Sequence, residues 1–341
     1  MDKVTKAIQD GVNVLIWVFI AFEPVVVGDN SPARLRMKSN LDVANYQLYR
    51  RKLADMGYPH VAHLVAFGGW NGPHLPPGYA SKDLYEAFQT YNTQAWQTSE
   101  PLFDGIDWDL EGHDNLKSPT NEFTMECLDQ MGEFSQMAKN DGFIVSMAPP
   151  ESYLDITSSQ FSRFVNLTYP EPWHQDFEYH GWNVYAYILS KWSDAIDFVF
   201  VQFYESYSHA AYQISNLEVD PGDFLVGYVQ QLVSQEEGMM VHFEDDSSVG
   251  LKNQFVSLPL SKLVLGFANG WALNSDLREK VVFFESNALK KAYLALKNIG
   301  KEPRGMGFWV VEEEGKHGVY YAKDLNDILN LQLEGMSGAI I

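Results

Sequence analysis

Short apolar runs alternate with longer amphipathic stretches along almost the whole chain, and this alternation constrains the fold more than any other feature. The runs are Val12 to Phe22, His63 to Gly69, Gly105 to Glu111, Phe143 to Pro149, Asp197 to Tyr204, Leu263 to Ala268 and Gly307 to Val311. Helical patterns fill the intervals at 41–56, 81–98, 121–140, 178–195, 221–235, 279–299 and 320–333. Strands that alternate with helices form βα units around a parallel sheet. Each run ends in polar, glycine or aromatic residues, and a βα barrel carries its chemistry at those ends. The expected fold is α/β, a (β/α)8 TIM barrel, in which seven of the eight strands are recognisable. The chain opens on a helical pattern with no strand before it. Either the chain starts after the first strand, which is the favoured reading, or Phe164 to Tyr169 is an eighth strand. The connections leave no room for a second domain, so residues 1–341 are expected to form one barrel without an insertion domain.

Composition narrows the partners. A formal net charge of −21 repels phosphate backbones, so nucleic acid is not an expected partner. No apolar run reaches the roughly 18 residues of a membrane span, so no membrane partner is expected. The single cysteine, Cys127, excludes an intrachain disulfide and a cysteine metal site. Met1 to Gly11 carries charge in place of an apolar signal core. Asn166-Leu167-Thr168 matches the glycosylation triplet, which chance also produces. Aromatic residues make up 14% of the chain, enough either for a well-packed core or for the flat walls of a carbohydrate cleft.

The run at 104–111 bears the most chemistry. Alternate side chains of a strand face opposite ways, so Asp107, Asp109 and Glu111 share one face and Ile106, Trp108 and Leu110 the other. The apolar three belong against helices, which turns the acids into the barrel. Three carboxyls spaced at ~7 Å in a poorly solvated site repel, and at least one should hold a proton near neutral pH. Glycoside hydrolysis needs such a general acid. Glu111, at the strand end with the longest reach, is the candidate donor, and Asp109 is placed to share its proton. A solvated acidic face and a carboxylate site for Mg²⁺ or Ca²⁺ are the rival readings of a bare D-x-D-x-E pattern.

Phe103-Asp104-Gly105-Ile106-Asp107-Trp108-Asp109-Leu110-Glu111 resembles the signature of glycoside hydrolase family 18, the chitinases and their relatives. Supporting segments follow the same order. They are His63-Leu64-Val65-Ala66-Phe67-Gly68-Gly69-Trp70, Ser146-Met147-Ala148-Pro149-Pro150-Glu151, Val201-Gln202-Phe203-Tyr204 and Gly307-Phe308-Trp309. The resemblance covers residues from about 4 to 315 and omits the family's first strand.

The resemblance implies hydrolysis of chitin or another N-acetylglucosamine glycan by a retaining, substrate-assisted route, the exception to the two-carboxylate scheme. Glu111 would protonate the leaving oxygen, Asp109 would orient the substrate acetamide, Tyr204 would donate to its oxygen, and Asp107 would tune Asp109. Trp309 would floor the sugar site, with Gln202 and Met147 lining it. Trp70 and Trp271 are expected sugar platforms, and Phe22 and Asp104 are counted among the substrate-binding residues. No metal or organic cofactor is implied. A secreted monomer with an open, endo-cutting cleft is expected. Endo-β-N-acetylglucosaminidase action on N-glycans and non-catalytic chitin binding are the alternatives. Glu205 departs from the asparagine that many members carry after Gln-Phe-Tyr, and is either a modifier of the pH optimum or a residue tied up by a loop. The aromatic loop between Pro149 and Asp197 holds Tyr153, Tyr169, Trp173, Tyr179 and Trp182, as cleft wall or as packing.

Overall fold

The computed structural model describes residues 2–25, 34–94, 100–115, 117–165, 182–206, 208–234, 238–275 and 281–331. The triplet at Asn166, loop aromatics Tyr169, Trp173 and Tyr179, and most of the strand considered at Phe164 to Tyr169 lie outside them. Among the described residues Phe164 belongs to no strand and makes an isolated antiparallel bridge to Glu122.

The chain enters through helix α1 (Asp2–Gln9) and strand β1 (Val14–Val25), which turns back into β2 (Arg34–Lys38). Helix α2 (Val43–Asp55), β3 (Ala62–Gly69), α3 (Ser81–Gln89), β4 (Gly105–Leu110) and α4 (Met125–Asn140) follow. Next come β5 (Ile144–Met147), α5 (Ala186–Trp192), β6 (Phe198–Gln202), the single turn α6 (His209–Ala211) and α7 (Pro221–Leu232). A small antiparallel pair, β7 (Met239–Val241) and β8 (Gln254–Val256), precedes β9 (Leu263–Ala268), α8 (Ser286–Asn298), β10 (Gly305–Trp309) and α9 (Tyr321–Leu329).

The main sheet runs β10-β9-β6-β5-β4-β3-β1-β2. Every pairing in it is parallel except that of β1 with β2. Among the described residues the protein is thus an α/β barrel with seven parallel staves laid down in chain order, and the seven apolar runs of the sequence supply them. Among the described residues β1 and β10 are not paired with each other, so the barrel is open between them. β2 and the pair β7–β8 were not anticipated. Arg34–Lys38 alternates charge with apolar residues at the sheet's outer edge, and three-residue strands are too short to show a period.

Side-chain alternation on β4 organises the core. Ile106, Trp108 and Leu110 are fully buried on the outer face. Trp108 meets Phe134 of α4 edge-on at 5.2 Å, packs on Phe67 at 5.0 Å, and donates its indole N–H to Ser135 Oγ at 2.8 Å. The helix that receives it starts where Thr124 accepts the N–H of Cys127. Deleting an aromatic side chain so packed costs about 3–5 kcal/mol. Phe22 is part of this layer, stacked on Phe67 at 5.2 Å and edge-on to Phe134 at 6.4 Å. Packing thus takes the ring that the sequence assigned to substrate. Met147 is corrected likewise. It is fully buried, sits opposite Trp108 in the β4–β5 register, and alternates with the inward Ser146.

Asp104 also proves structural. It lies one residue before β4, at the end of the strand remote from Glu111. Arg50 grips its carboxylate through one guanidinium nitrogen at 2.9 and 3.1 Å, and the backbone N–H of His63 donates to it at 2.8 Å. These bonds tie α2 to the start of β4 and carry no contact with the cleft. Asp104→Ala is therefore expected to lower the free energy of unfolding by about 1–3 kcal/mol, the cost of leaving a half-buried guanidinium without its carboxylate while its bonds to the Pro101 and Leu102 carbonyls remain. Denaturant unfolding measures this. Catalytic activity per folded molecule should stay at the parental level, and a specific loss of activity at unchanged stability would return Asp104 to the substrate site.

Candidate active site

The strand end that presents Glu111 is built with unusual care for its backbone. β4 loses its sheet partners after Leu110, so its last peptide groups need other ones. The Tyr185 hydroxyl accepts the Leu110 N–H at 2.8 Å and donates to the Leu110 carbonyl at 3.0 Å. Tyr153 stacks on Tyr185 at 5.9 Å and accepts the Gly112 N–H at 3.1 Å. His74 Nε2 lies 2.8 Å from the Glu111 carbonyl, and the Gly112 carbonyl accepts from Asn71. Gly68 closes the approach of β3. Its φ of +100° and its distance to β4 admit no side chain, because a Cβ would stand 2.4 Å from the Asp109 carbonyl oxygen.

The three acids point inward and are buried. Asp107 accepts a short hydrogen bond from Ser146 Oγ on β5. Gln202 Nε2, at the end of β6, donates to Asp109 Oδ1 at 2.7 Å and to the Ala148 carbonyl at 2.5 Å. Asp109 and Glu111 share a side-chain hydrogen bond, and the backbone N–H of Trp70 donates to Glu111. Burial pushes the Asp107 carboxyl up to about 7 against the donation from Ser146. Burial likewise raises Glu111 to about 7, held down by its bonds to Asp109, Gln202 and Trp70. Asp109 is raised well above the ordinary carboxylate range by burial and then by the negative charge of Glu111 on one side and Asp107 on the other. Both shifts favour the protonated form, so Asp109 and Glu111 make a pair of interacting carboxyls that hold protons more tightly than usual. Such a pair keeps one carboxyl able to donate while the other carries charge.

Asp107, Asp109, Gln202, Tyr204 and Trp309 all line one cavity of about 550 Å³, while Glu111, two residues beyond Asp109 on the same face, is not part of its lining. The Tyr204 hydroxyl is kept protonated far up the pH scale by burial and by Asp109. Trp271 meets Tyr204 edge-on at 6.3 Å. Trp70 is half-buried just past β3, its indole N–H bonded to Asp114 at 3.0 Å. The structure therefore gathers four acid-row and tyrosine candidates with Gln202 and Trp309, leaves Trp70 beside them, and puts Met147, Phe22 and Asp104 elsewhere. Tyr153 and Trp182 of the long loop are buried packing. Among the described residues no group of three or more histidine, cysteine or carboxylate side chains is arranged to hold a metal ion.

Glu205 is tied up by a loop. Its carboxyl accepts from Ser152 N at 3.2 Å and from Ser152 Oγ at 2.8 and 2.9 Å, and burial raises it to about 8. A protonated Glu205 is neutral, as an asparagine would be. The sequence reading missed Ser146, Tyr153 and Tyr185. Ser146 was the one within reach, because it stands an even number of residues from the inward Ala148 on the strand next to Asp107.

No family model matches the sequence, and no curated protein sequence matches it. Solved structures do. A GH18 chitinase from Pseudoalteromonas aurantia superposes with a TM-score of 0.51 at 13% identity, over 96% of this chain and 95% of that one. A fungal endo-β-N-acetylglucosaminidase from glycosyl hydrolase family 18 gives 0.51 at 13%, over 94% and 88%. Human YKL-39, described as a pseudo-chitinase with retained chitooligosaccharide binding, gives 0.52 at 13%, over 96% and 94%. The class these likenesses define is one of fold, the barrel of glycoside hydrolase family 18. Among the described residues no helix is long and apolar enough to cross a membrane.

The buried acids make a pH signature. Asp107 binds its proton more tightly in the folded chain, at about 7, than at the ordinary 3.8. Its contribution to stability is fully present below the ordinary value and is lost as pH rises through about 7. The melting temperature should fall between about pH 4 and about pH 7, and Asp107→Asn, neutral throughout, should flatten that fall. Equal slopes in the two proteins would show that Asp107 ionises freely in the fold.

Proposed function

We propose that the protein is a glycoside hydrolase that cuts β-1,4-linked N-acetylglucosamine polymers such as chitin, with retention and with help from the substrate's own acetamide. The observation that carries this reading is the buried inward row Asp107, Asp109 and Glu111, of which Asp107 and Asp109 line a cavity with Gln202, Tyr204 and Trp309 and Glu111 stands next along the strand. Glu111 protonates the leaving oxygen. The acetamide oxygen attacks the anomeric carbon, which displaces the leaving group and forms a cyclic oxazolinium ion. Asp109, relieved of its shared proton, carries the negative charge that faces this cation, and Asp107 holds a proton beside it. Tyr204 donates to the acetamide, Trp309 packs under the sugar and Trp271 extends the platform. Glu111, now a carboxylate, takes a proton from the water that opens the ring, which restores the starting state and the β-anomer. Preorganised charge and hydrogen bonds supply the stabilisation. The 341 residues act as one catalytic unit.

The fold shared with a chitinase and an endo-β-N-acetylglucosaminidase supports a site for N-acetylglucosamine glycans. The fold shared with a pseudo-chitinase makes binding without turnover the second reading. Comparison of the parent with Glu111→Gln on chitin oligomers and on an N-glycoprotein separates them. The parent should release products from the oligomers as β-anomers, seen by NMR before mutarotation. Glu111→Gln should reduce kcat by at least about 100-fold, the usual span of a general acid, while oligomer binding persists. Equal rates would remove Glu111 from its role, α-anomer products would exclude substrate assistance, and binding by both without hydrolysis by either would establish the lectin reading. Cleavage confined to the glycoprotein would move the substrate to N-glycans.

A further inference from the structure

Strand β1 carries an irregularity that changes which of its rings reach the cleft. Trp17 stands opposite Val65 of β3 and Ile20 opposite Phe67, so two residues of β1, Val18 and Phe19, face the single residue Ala66. The residues on either side turn outward. Trp17 meets Tyr46 of α2 edge-on at 5.2 Å, and Phe22, two beyond Ile20, packs on Phe67 and Phe134. Ala66 turns the other way and lines the cavity with Asp107 and Asp109. An extra residue of this kind re-aims a side chain, often beside an active site. Phe19 is 39% exposed, whereas Ile20 and Phe67 are each 2% exposed. Two contacts fix its ring. It lies nearly parallel to the indole of Trp309, at an interplanar angle of 20° with centroids 6.4 Å apart. Its rim also covers Gly69 at the end of β3, where a Cβ would stand 2.4 Å from Phe19 Cε2 and Cζ. Gly69 pairs with Leu110, the residue before Glu111, and the next residue, Trp70, donates its backbone N–H to Glu111. Phe19 therefore spans the interval between Trp309 at the end of β10 and Trp70 just past β3, beside the acid row.

We propose that Phe19 is a sugar-stacking residue of the cleft, holding the N-acetylglucosamine unit that follows the one over Trp309 on the way to Trp70. The proposal rests on the reading of the cleft as a site for N-acetylglucosamine glycans, and it does not require hydrolysis. A β-linked pyranose carries its hydroxyl groups around its rim and presents C–H groups on its faces. An exposed aromatic ring offers such a face a flat, electron-rich surface. Successive units of a β-1,4 polymer keep their ring planes close to parallel, which the 20° between Phe19 and Trp309 matches. The Phe19 ring is held by Gly69 on one side and Trp309 on the other before any ligand arrives, so little side-chain freedom is lost on binding. The irregularity of β1 thus divides two nearby phenylalanines between two tasks. Phe22 goes to the packed layer, and Phe19 goes to the cleft.

Calorimetric binding of N-acetylglucosamine and of its β-1,4 hexamer tests the proposal, in the Glu111→Gln background so that no ligand is consumed. Phe19→Leu keeps apolar bulk against Gly69 and removes only the flat ring, and Phe19→Tyr keeps the ring. Phe19→Leu should weaken hexamer binding about three- to tenfold, the worth of an aromatic contact beyond its area, and should leave the monosaccharide unaffected. Phe19→Tyr should bind the hexamer within about twofold of its parent. Equal hexamer affinity with Phe19→Leu overturns the proposal. An equal loss for monosaccharide and hexamer overturns it as well, since that marks a disturbance at Trp309 and not a second platform. NMR of the saturated hexamer complex supplies a readout that needs no change at Phe19. Nuclear Overhauser contacts between the Phe19 ring and sugar C–H protons are expected, and their absence overturns the proposal even if Phe19→Leu fails to fold. A parent that binds no hexamer removes the reading of the cleft and this proposal together, a result seen before any substitution at Phe19 and so distinct from failure of Phe19 alone.

Discussion

The anchoring of β4 by its apolar face is the constraint on which the site depends. A strand has two faces, and burying Ile106, Trp108 and Leu110 against Phe67 and Phe134 leaves the other face no direction except the barrel interior. The Trp108 indole bonded to Ser135 fixes the strand against sliding along α4. A one-residue slip would reverse every side chain, placing carboxylates against a helix and tryptophan in the cleft. The arginine clip at Asp104 and the tyrosine pair at Leu110 and Gly112 hold the two ends of the same strand.

The cost of this arrangement is electrostatic. Three carboxyls in one buried row favour their neutral forms, because burial and mutual repulsion both disfavour charge. Ser146, Gln202 and the Trp70 amide offset part of that cost, each donating a hydrogen bond to a carboxyl oxygen. What remains keeps Asp109 and Glu111 biased toward their protonated forms. A second acidic tier lies behind the row, where Glu151 accepts from the N–H groups of His209 and Ala210 and Glu205 from Ser152. Within this tier burial, and then the charge of Asp155, push Glu151 up, and burial with the charge of Glu111 pushes Glu205 up.

Much of this was legible along the chain. The strands of the main sheet that run parallel each matched an apolar run, because staves covered on both faces need continuous apolar sequence. The inward face of β4 followed from period two alone. Residues whose meaning depends on a distant partner were less legible. Asp104 carries a signature position, yet Arg50 makes it a structural clip. Phe22 and Met147 have the composition of a sugar pocket, and the pleat turns them onto helix α4 and Trp108. Tyr153 and Tyr185 sit in a long loop where nothing local shows that their hydroxyls cap a strand more than 40 residues earlier.

The sequence by itself determined the order of staves, the acids that share a face, and the position of Glu111 at the strand end. Those properties follow from local periodicity, which a single segment carries. Only the tertiary structure decided that Ser146 and Gln202 donate to the acid row, that Glu205 is held by a loop serine, and that the sheet stays open between β1 and β10 among the described residues. Each of these rests on groups far apart in the chain meeting in a buried space, where desolvation and hydrogen bonding are set by neighbours and not by the residue's own identity.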